Sequence, residues 1–176
     1  GLTLIVIISI FGPISGAHFN PIVSLVFWLK RIMSFKDFIA YVVMQISGAI
    51  FGCVVANIIF KLPPVTISTL VRHDFSQFLS EILATFGLIL VIFIGSEVSK
   101  QTIPVLVGSY IASAYWFTSS TSFANPAVTV ARQFSDTFTG ISPSGVPTFI
   151  IAQIFGAILG FIVIQWLTNT VIESGY

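Results

Sequence analysis

The sequence predicts an all-α membrane protein, built as an inverted repeat of transmembrane helices with two half-helices that enter the bilayer and turn back. Three observations predict it. The 176-residue chain is 56% hydrophobic and 7% charged, with a mean hydropathy of +1.04; a soluble domain carries about a quarter charged residues. The apolar residues form long runs, not the short alternating segments of a lipid-facing barrel. Two Asn-Pro pairs, Asn20-Pro21 and Asn125-Pro126, sit at matched places in the two halves.

The elements follow in order. Gly1–Phe11 is apolar but short of the about 20 residues a span needs. Phe38–Phe60, Phe78–Ile94, Ile103–Thr118 and Phe149–Leu167 read as membrane segments. Between them lie two Gly/Ser/Thr-rich stretches that turn helical after Asn-Pro. Proline suits a first helical turn, where its missing N–H costs nothing. Pro21 and Pro126 therefore start short helices, with Asn20 and Asn125 at the caps. The whole, 1–176, is one channel-like domain: a first-repeat remainder 1–60, a connecting loop 61–77 and a second repeat 78–170.

The formal charge of +1 offers no basic patch for nucleic acid. Cys53, the single cysteine, lies in an apolar run and reads as a packing residue. No cofactor site and no metal-ligand spacing is visible, and no nucleophile–base pair suggests an enzyme. There is no cleavable signal-peptide pattern.

The halves repeat. Phe19–Leu25 (FNPIVSL) echoes Ala124–Val130 (ANPAVTV), and Gln45–Gly52 (QISGAIFG) echoes Gln153–Gly160 (QIFGAILG). The two Asn are 105 positions apart and the two Gln 108. Each Gln motif holds a Gly-xxx-Gly, a spacing that lets membrane helices approach closely. The segment Ser80–Leu88 has its expected counterpart before Gly1, so a first helix and part of the next are expected upstream. Lys30, Arg31 and Lys36 place the end after the first half-helix in the cytoplasm. Three intervening spans then put the second Asn-Pro loop on the opposite face; Arg72 and His73 count only weakly against this.

Non-helical backbone at membrane depth survives only if buried in protein or lining a watery cavity. Two half-helices meeting at the midplane would point positive dipole ends at one place. With Asn donors and loop carbonyl acceptors, that makes a stripe for a neutral, hydrogen-bonding solute and a barrier to cations. The plainer alternative is that Asn20 and Asn125 are only helix caps.

The chain resembles the aquaporin, or major intrinsic protein, family. The residues that carry the resemblance are Ser15–Pro21 (SGAHFNP), Phe123–Val128 (FANPAV), the two Gln-xx-Gly-Ala motifs, and Glu81 with Thr85 and Phe86. The resemblance implies a multi-pass protein of the lipid bilayer, a homotetramer with one pore per protomer, in the bacterial inner (plasma) membrane. It implies that Asn20 and Asn125 donate to the passing solute. It also implies that carbonyls of Gly16, Ala17, His18, Thr121, Ser122 and Phe123 line the path, and that Glu81 braces a re-entrant loop. A proton-relay role for Glu81 is the other reading, since an intramembrane carboxylate is functional by default. His18 reads as a side chain that fixes its loop.

Two departures stand out. Ile22 replaces the usual Ala of the first Asn-Pro-Ala, whereas Ala127 keeps it in the second. Val128 stands where most members carry an arginine on one wall of the outer filter. An ungapped match puts Ser113 and Ser122 at two further filter positions, with the fourth just before Gly1. Small or apolar residues at three positions imply a widened selectivity filter. Arg132 lies one turn beyond Val128 on roughly the same face. It is a candidate for the outer vestibule, or else snorkels to the interface or pairs with Asp136. The run Ala114–Arg132 resembles a bacterial subgroup with this Val, some members of which are associated with arsenic resistance. That implies a passive channel for water, small polyols and metalloid acids such as arsenite. The alternative is a secondary transporter with a coupling site near Glu81.

Overall fold

The computed structural model describes residues 1–174, with side chains for residues 1–169. Among the described residues every regular element is helical. Helix α1 spans Leu2–Ser15 and stops at Gly16, whose left-handed φ of 74° lets its N–H reach Gly12 O at 2.9 Å. The short α2, Pro21–Leu29, begins with proline in its first turn. Helix α3, Phe35–Ile59, starts at Ser34, which accepts from the Asp37 N–H at 3.1 Å and donates to the Asp37 carboxylate at 2.7 Å. Helix α4 is Phe75–Val98, α5 is Ile103–Phe117, the short α6 is Pro126–Arg132, and α7 is Val146–Ser174.

Each apolar run of the sequence thus becomes a helix. Three helices start earlier than hydropathy alone indicates, at Phe35, Phe75 and Val146. Their first turns hold polar residues suited to the interface, behind polar entries at Ser34, Asp74 and the turn Pro143–Gly145. The segment joining the repeats is correspondingly shorter. It runs extended beside the stretch after α6, with Ser68 N–H on Gln133 O at 2.9 Å and Ser142 N–H on Leu70 O at 2.8 Å.

Helices α3, α4 and α7 are long and apolar enough to cross a membrane. Large apolar side chains such as Leu2, Phe51, Leu83, Trp116, Phe155 and Ile162 face outward, while Asn20, Ser24, Glu81, Thr85, Ser120, Thr129 and Gln153 are buried. Apolar outside and polar within is the arrangement a lipid solvent demands.

The tightest seam joins α4 to α7. A Cβ on Gly156 would run into Ile82 O and stand 2.9 Å from Thr85 Cβ; one on Gly160 would lie 2.9 Å from Ile89 Cγ2. Close backbone approach replaces the hydrophobic drive that is missing between helices in lipid. The matching Gly48 and Gly52 of α3 meet no atom within 4 Å among the described residues. Helix α2 packs on this seam, with Ile22, Val23 and Val26 against Ile89, Phe93, Ala157 and Ile164.

Gly156→Leu should destabilise the fold by on the order of 3 kcal/mol, because the added carbons have no space to enter. Thermal unfolding in detergent checks it; an unchanged midpoint would mean that α4 and α7 are not seated through this glycine.

Candidate functional site

The site lies where the loops before α2 and α6 meet. Asn20 and Asn125 have extended backbones, and each side-chain oxygen caps its own half-helix: Asn20 Oδ1 accepts from the Ile22 N–H at 3.0 Å, Asn125 Oδ1 from that of Ala127 at 3.0 Å. The amide nitrogens cross over. Asn20 Nδ2 donates to Ala124 O at 2.7 Å, and Asn125 Nδ2 donates to Phe19 O at 2.9 Å. Each asparagine therefore binds the carbonyl just before its partner, and each amide keeps a second proton.

The repeat extends to the backbone. Positive φ occurs at Gly16, Ala17 and Phe19, and again 105 positions on at Thr121, Ser122 and Ala124. Such conformations cost about 1–3 kcal/mol each for non-glycine residues and persist only where surroundings over-determine them. In both loops a serine hydroxyl accepts from the amide two residues later: Ser15 Oγ from Ala17 N–H at 3.3 Å, Ser120 Oγ from Ser122 N–H at 3.1 Å. The carbonyls bounding each loop are taken. Ser15 O accepts from the Tyr41 hydroxyl at 2.8 Å and Ser120 O from Arg72 Nη1 at 3.1 Å, while Phe19 and Ala124 receive the asparagines. The six carbonyls between, of Gly16, Ala17, His18, Thr121, Ser122 and Phe123, accept no hydrogen bond from the described residues. Two runs of acceptors without a partner among the described residues are left to water or a polar solute.

Glu81, fully buried, anchors the second loop. Its carboxylate accepts from Ser120 Oγ at 2.6 Å, Phe123 N–H at 2.8 Å, Ala124 N–H at 2.8 Å and Gln153 Nε2 at 2.7 Å. Four donors use the whole capacity of a carboxylate. Gln153 also donates to Thr129 Oγ1 at 2.9 Å, as Gln45 donates to Ser24 Oγ at 3.0 Å in the first repeat. The motif glutamines thus tie each half-helix to its following long helix. His18 lies behind its loop, Nδ1 at 3.0 Å from Ser24 Oγ and its ring on Phe27. Among the described residues no three His, Cys, Asp or Glu side chains group to hold a metal ion.

The other expected positions are placed as follows. Pro21, Pro126 and Ala127 are buried at the half-helix starts, and Ile22 points into the α4–α7 seam, where Ala157 leaves room for its extra carbons. Val128 is half-buried against Phe123, Ile141 and Phe149. Ser122 is buried, and its Oγ finds no partner among the described residues. Ser113 is exposed and bonds back to Ser109 O at 2.9 Å, with no bond to Ser122 or Val128. Arg132 lays its guanidinium 4.3 Å from the Phe123 ring centroid, while Asp136 instead accepts from Thr69 N–H at 2.9 Å. Sequence reasoning missed Arg72. It is 5% exposed and donates to Gly140, Ser120 and Phe138 carbonyls at 2.8, 3.1 and 2.9 Å. Its one sequence signal was a charge in an otherwise uncharged, Val/Thr/Leu-rich stretch.

The family model described as Major intrinsic protein matches residues 1–119. Aquaglyceroporin AqpS of Rhizobium meliloti (strain 1021) is 49% identical over 167 residues, covering 95% of this chain and 72% of the relative. Aquaporin NIP1-1 of Arabidopsis thaliana is 27% identical over 182 residues, 97% of this chain and 60% of the relative. Aquaporin-4 of Homo sapiens is 29% identical over 147 residues, 76% of this chain and 44% of the relative.

Glu81→Gln sets an amide N–H against donors that need an acceptor. It should cost on the order of 3 kcal/mol of stability, the scale of a broken buried charge network. Folded yield and thermal midpoint check it; wild-type values would show that the second loop does not depend on this carboxylate.

Proposed function

The chain belongs to the major intrinsic protein family, whose members are channels, and we propose that its meeting loops form a passive pore for small neutral solutes with a widened outer filter. The protein is a multi-pass integral membrane protein of the plasma membrane. The observation that carries the reading is the pair of carbonyl runs without protein partners, joined at two asparagines that each keep a free amide proton. A solute with both hydroxyl donors and acceptors can exchange its water for these groups in single file. Glycerol and uncharged arsenous acid share that chemistry. Water fits it as well.

The filter reading assigns Ser113, Ser122 and Val128 to the outer constriction. Val128 brings no charge, no donor and little length where an arginine would narrow the path. The hydroxyls of Ser122 and Thr121 are buried and without a hydrogen-bond partner among the described residues, so they add polarity to this wall of the path without narrowing it. Arg132 borders this region through Phe123. Glu81 acts as the loop brace. The outward apolar faces suit a lipid-embedded homotetramer with a pore in each protomer. That the relative from Rhizobium meliloti is named an aquaglyceroporin supports polyol passage here.

Proteoliposome swelling in solute gradients tests the pore. Flux should follow the gradient linearly; flux that saturates and requires a proton or sodium gradient would overturn the channel reading. Val128→Arg tests the filter. It should cut glycerol and arsenite flux by about tenfold and water flux by less than about threefold, the scale of discrimination one side chain supplies. Unchanged glycerol flux in a folded variant would remove Val128 from the constriction.

A further inference from the structure

The two repeats share a backbone but differ in what stands behind it. Phe27 lies against His18 with ring centroids 4.2 Å apart and planes tilted by 39°; 105 positions on, Arg132 sits 4.3 Å from the ring of Phe123. The first loop's bounding carbonyl is held by the neutral Tyr41 hydroxyl, the second's by the Arg72 guanidinium, which also lies 5.4 Å from the Phe123 ring. Neither arginine has a carboxylate partner among the described residues: Glu81 is occupied by its four donors, and Asp136 bonds to Thr69 and Ser68. Arg132 Nη1 is buried and donates to no group among the described residues. Two positive charges thus flank one loop; the single negative charge of Glu81, which braces the same loop, is outnumbered and forms an ion pair with neither.

Unpaired carbonyls in a row are the usual lining of a cation path, because they replace a hydration shell. The two half-helix N-termini already oppose cations at the midplane, but with an uncharged residue at position 128 the outer filter lacks the further positive charge that an arginine there would supply. We propose that Arg72 and Arg132, acting from behind the second loop, supply the outer filter's part of this pore's cation barrier, in addition to the half-helix dipoles. The inference rests on the channel reading above. Their field crosses a low-dielectric layer with little screening. It opposes a cation at the Thr121–Phe123 carbonyls and leaves a neutral solute almost unaffected. Placing the charge behind the loop also leaves the lumen wide, which a filter arginine would not.

Arg132 also complements the C-terminal end of α6, a role any cation there fills. The test separates this from a barrier by reading ion leak against solute flux. Reconstituted wild-type, Arg132→Lys, Arg132→Gln and Arg132→Met proteins are compared for glycerol-driven swelling and for proton and sodium leak under an imposed potential. Wild type and Lys should leak no more than protein-free vesicles. Met and Gln should raise the ratio of leak to glycerol flux by about tenfold, equivalent to about 1.4 kcal/mol of barrier. The Gln variant keeps a hydrogen-bonding side chain and covers the case where Met does not fold. A glycerol-permeable Met or Gln variant with an unchanged ratio overturns the proposal, as does wild-type leak above the vesicle background. A wild type that passes no glycerol overturns the channel reading instead.

Discussion

The crossed amide bonds between Asn20 and Ala124 and between Asn125 and Phe19 are the constraint on which the rest of the structure depends. Each loop leaves helical geometry inside an apolar environment, where its own backbone cannot satisfy itself. Each supplies what the other lacks: an amide donor from its cap residue and a carbonyl acceptor from the residue before it. Neither loop can take this shape alone, so the two halves must fold against each other. The half-helices, their proline starts and their tethers to Gln45 and Gln153 follow from that requirement.

The polar interior is cooperative for the same reason. Five non-glycine left-handed residues in two short loops represent several kcal/mol of strain. The opposing terms are charge-assisted and buried, notably the bonds of Glu81 to the Phe123 and Ala124 amides. What the bracing leaves unmade is selective. Hydrogen bonds close the ends of each loop and leave its middle carbonyls open. A site for a moving solute needs this combination of a rigid frame and unspent acceptors.

Much of the fold was legible in the sequence. Composition announces lipid, proline after asparagine announces a helix start, and two motifs separated by nearly equal intervals announce a repeat. The segments became helices because long apolar runs have no other stable form in a bilayer. Glu81 stood out as a carboxylate in an apolar run, but its four donors come from α7 and from the loop beyond α5, contacts that no local pattern encodes. Arg72 was legible only as a charge in a loop. Its burial depends on carbonyls from residues 120, 138 and 140, brought together only by the fold. Equal spacing also promised equal roles for the two Gly-xxx-Gly pairs, yet among the described residues only Gly156 and Gly160 meet a neighbour. Spacing marks a face for close approach and does not say what occupies it.

The occupancy of Glu81 also bears on coupled transport. A carboxylate that relays a proton must exchange it with a neighbour during each cycle. Here both oxygens accept two bonds, and every partner approaches as a donor. A proton on Glu81 would replace an acceptor with a donor facing donors, breaking at least one bond that holds Phe123 or Ala124 in place. Ala124 is also the acceptor of Asn20. Protonation would therefore loosen the second loop and the bridge between the repeats at once, with no alternative acceptor for the freed amides. A group so placed favours a fixed frame over a moving relay, and a fixed frame suits a solute that crosses down its own gradient.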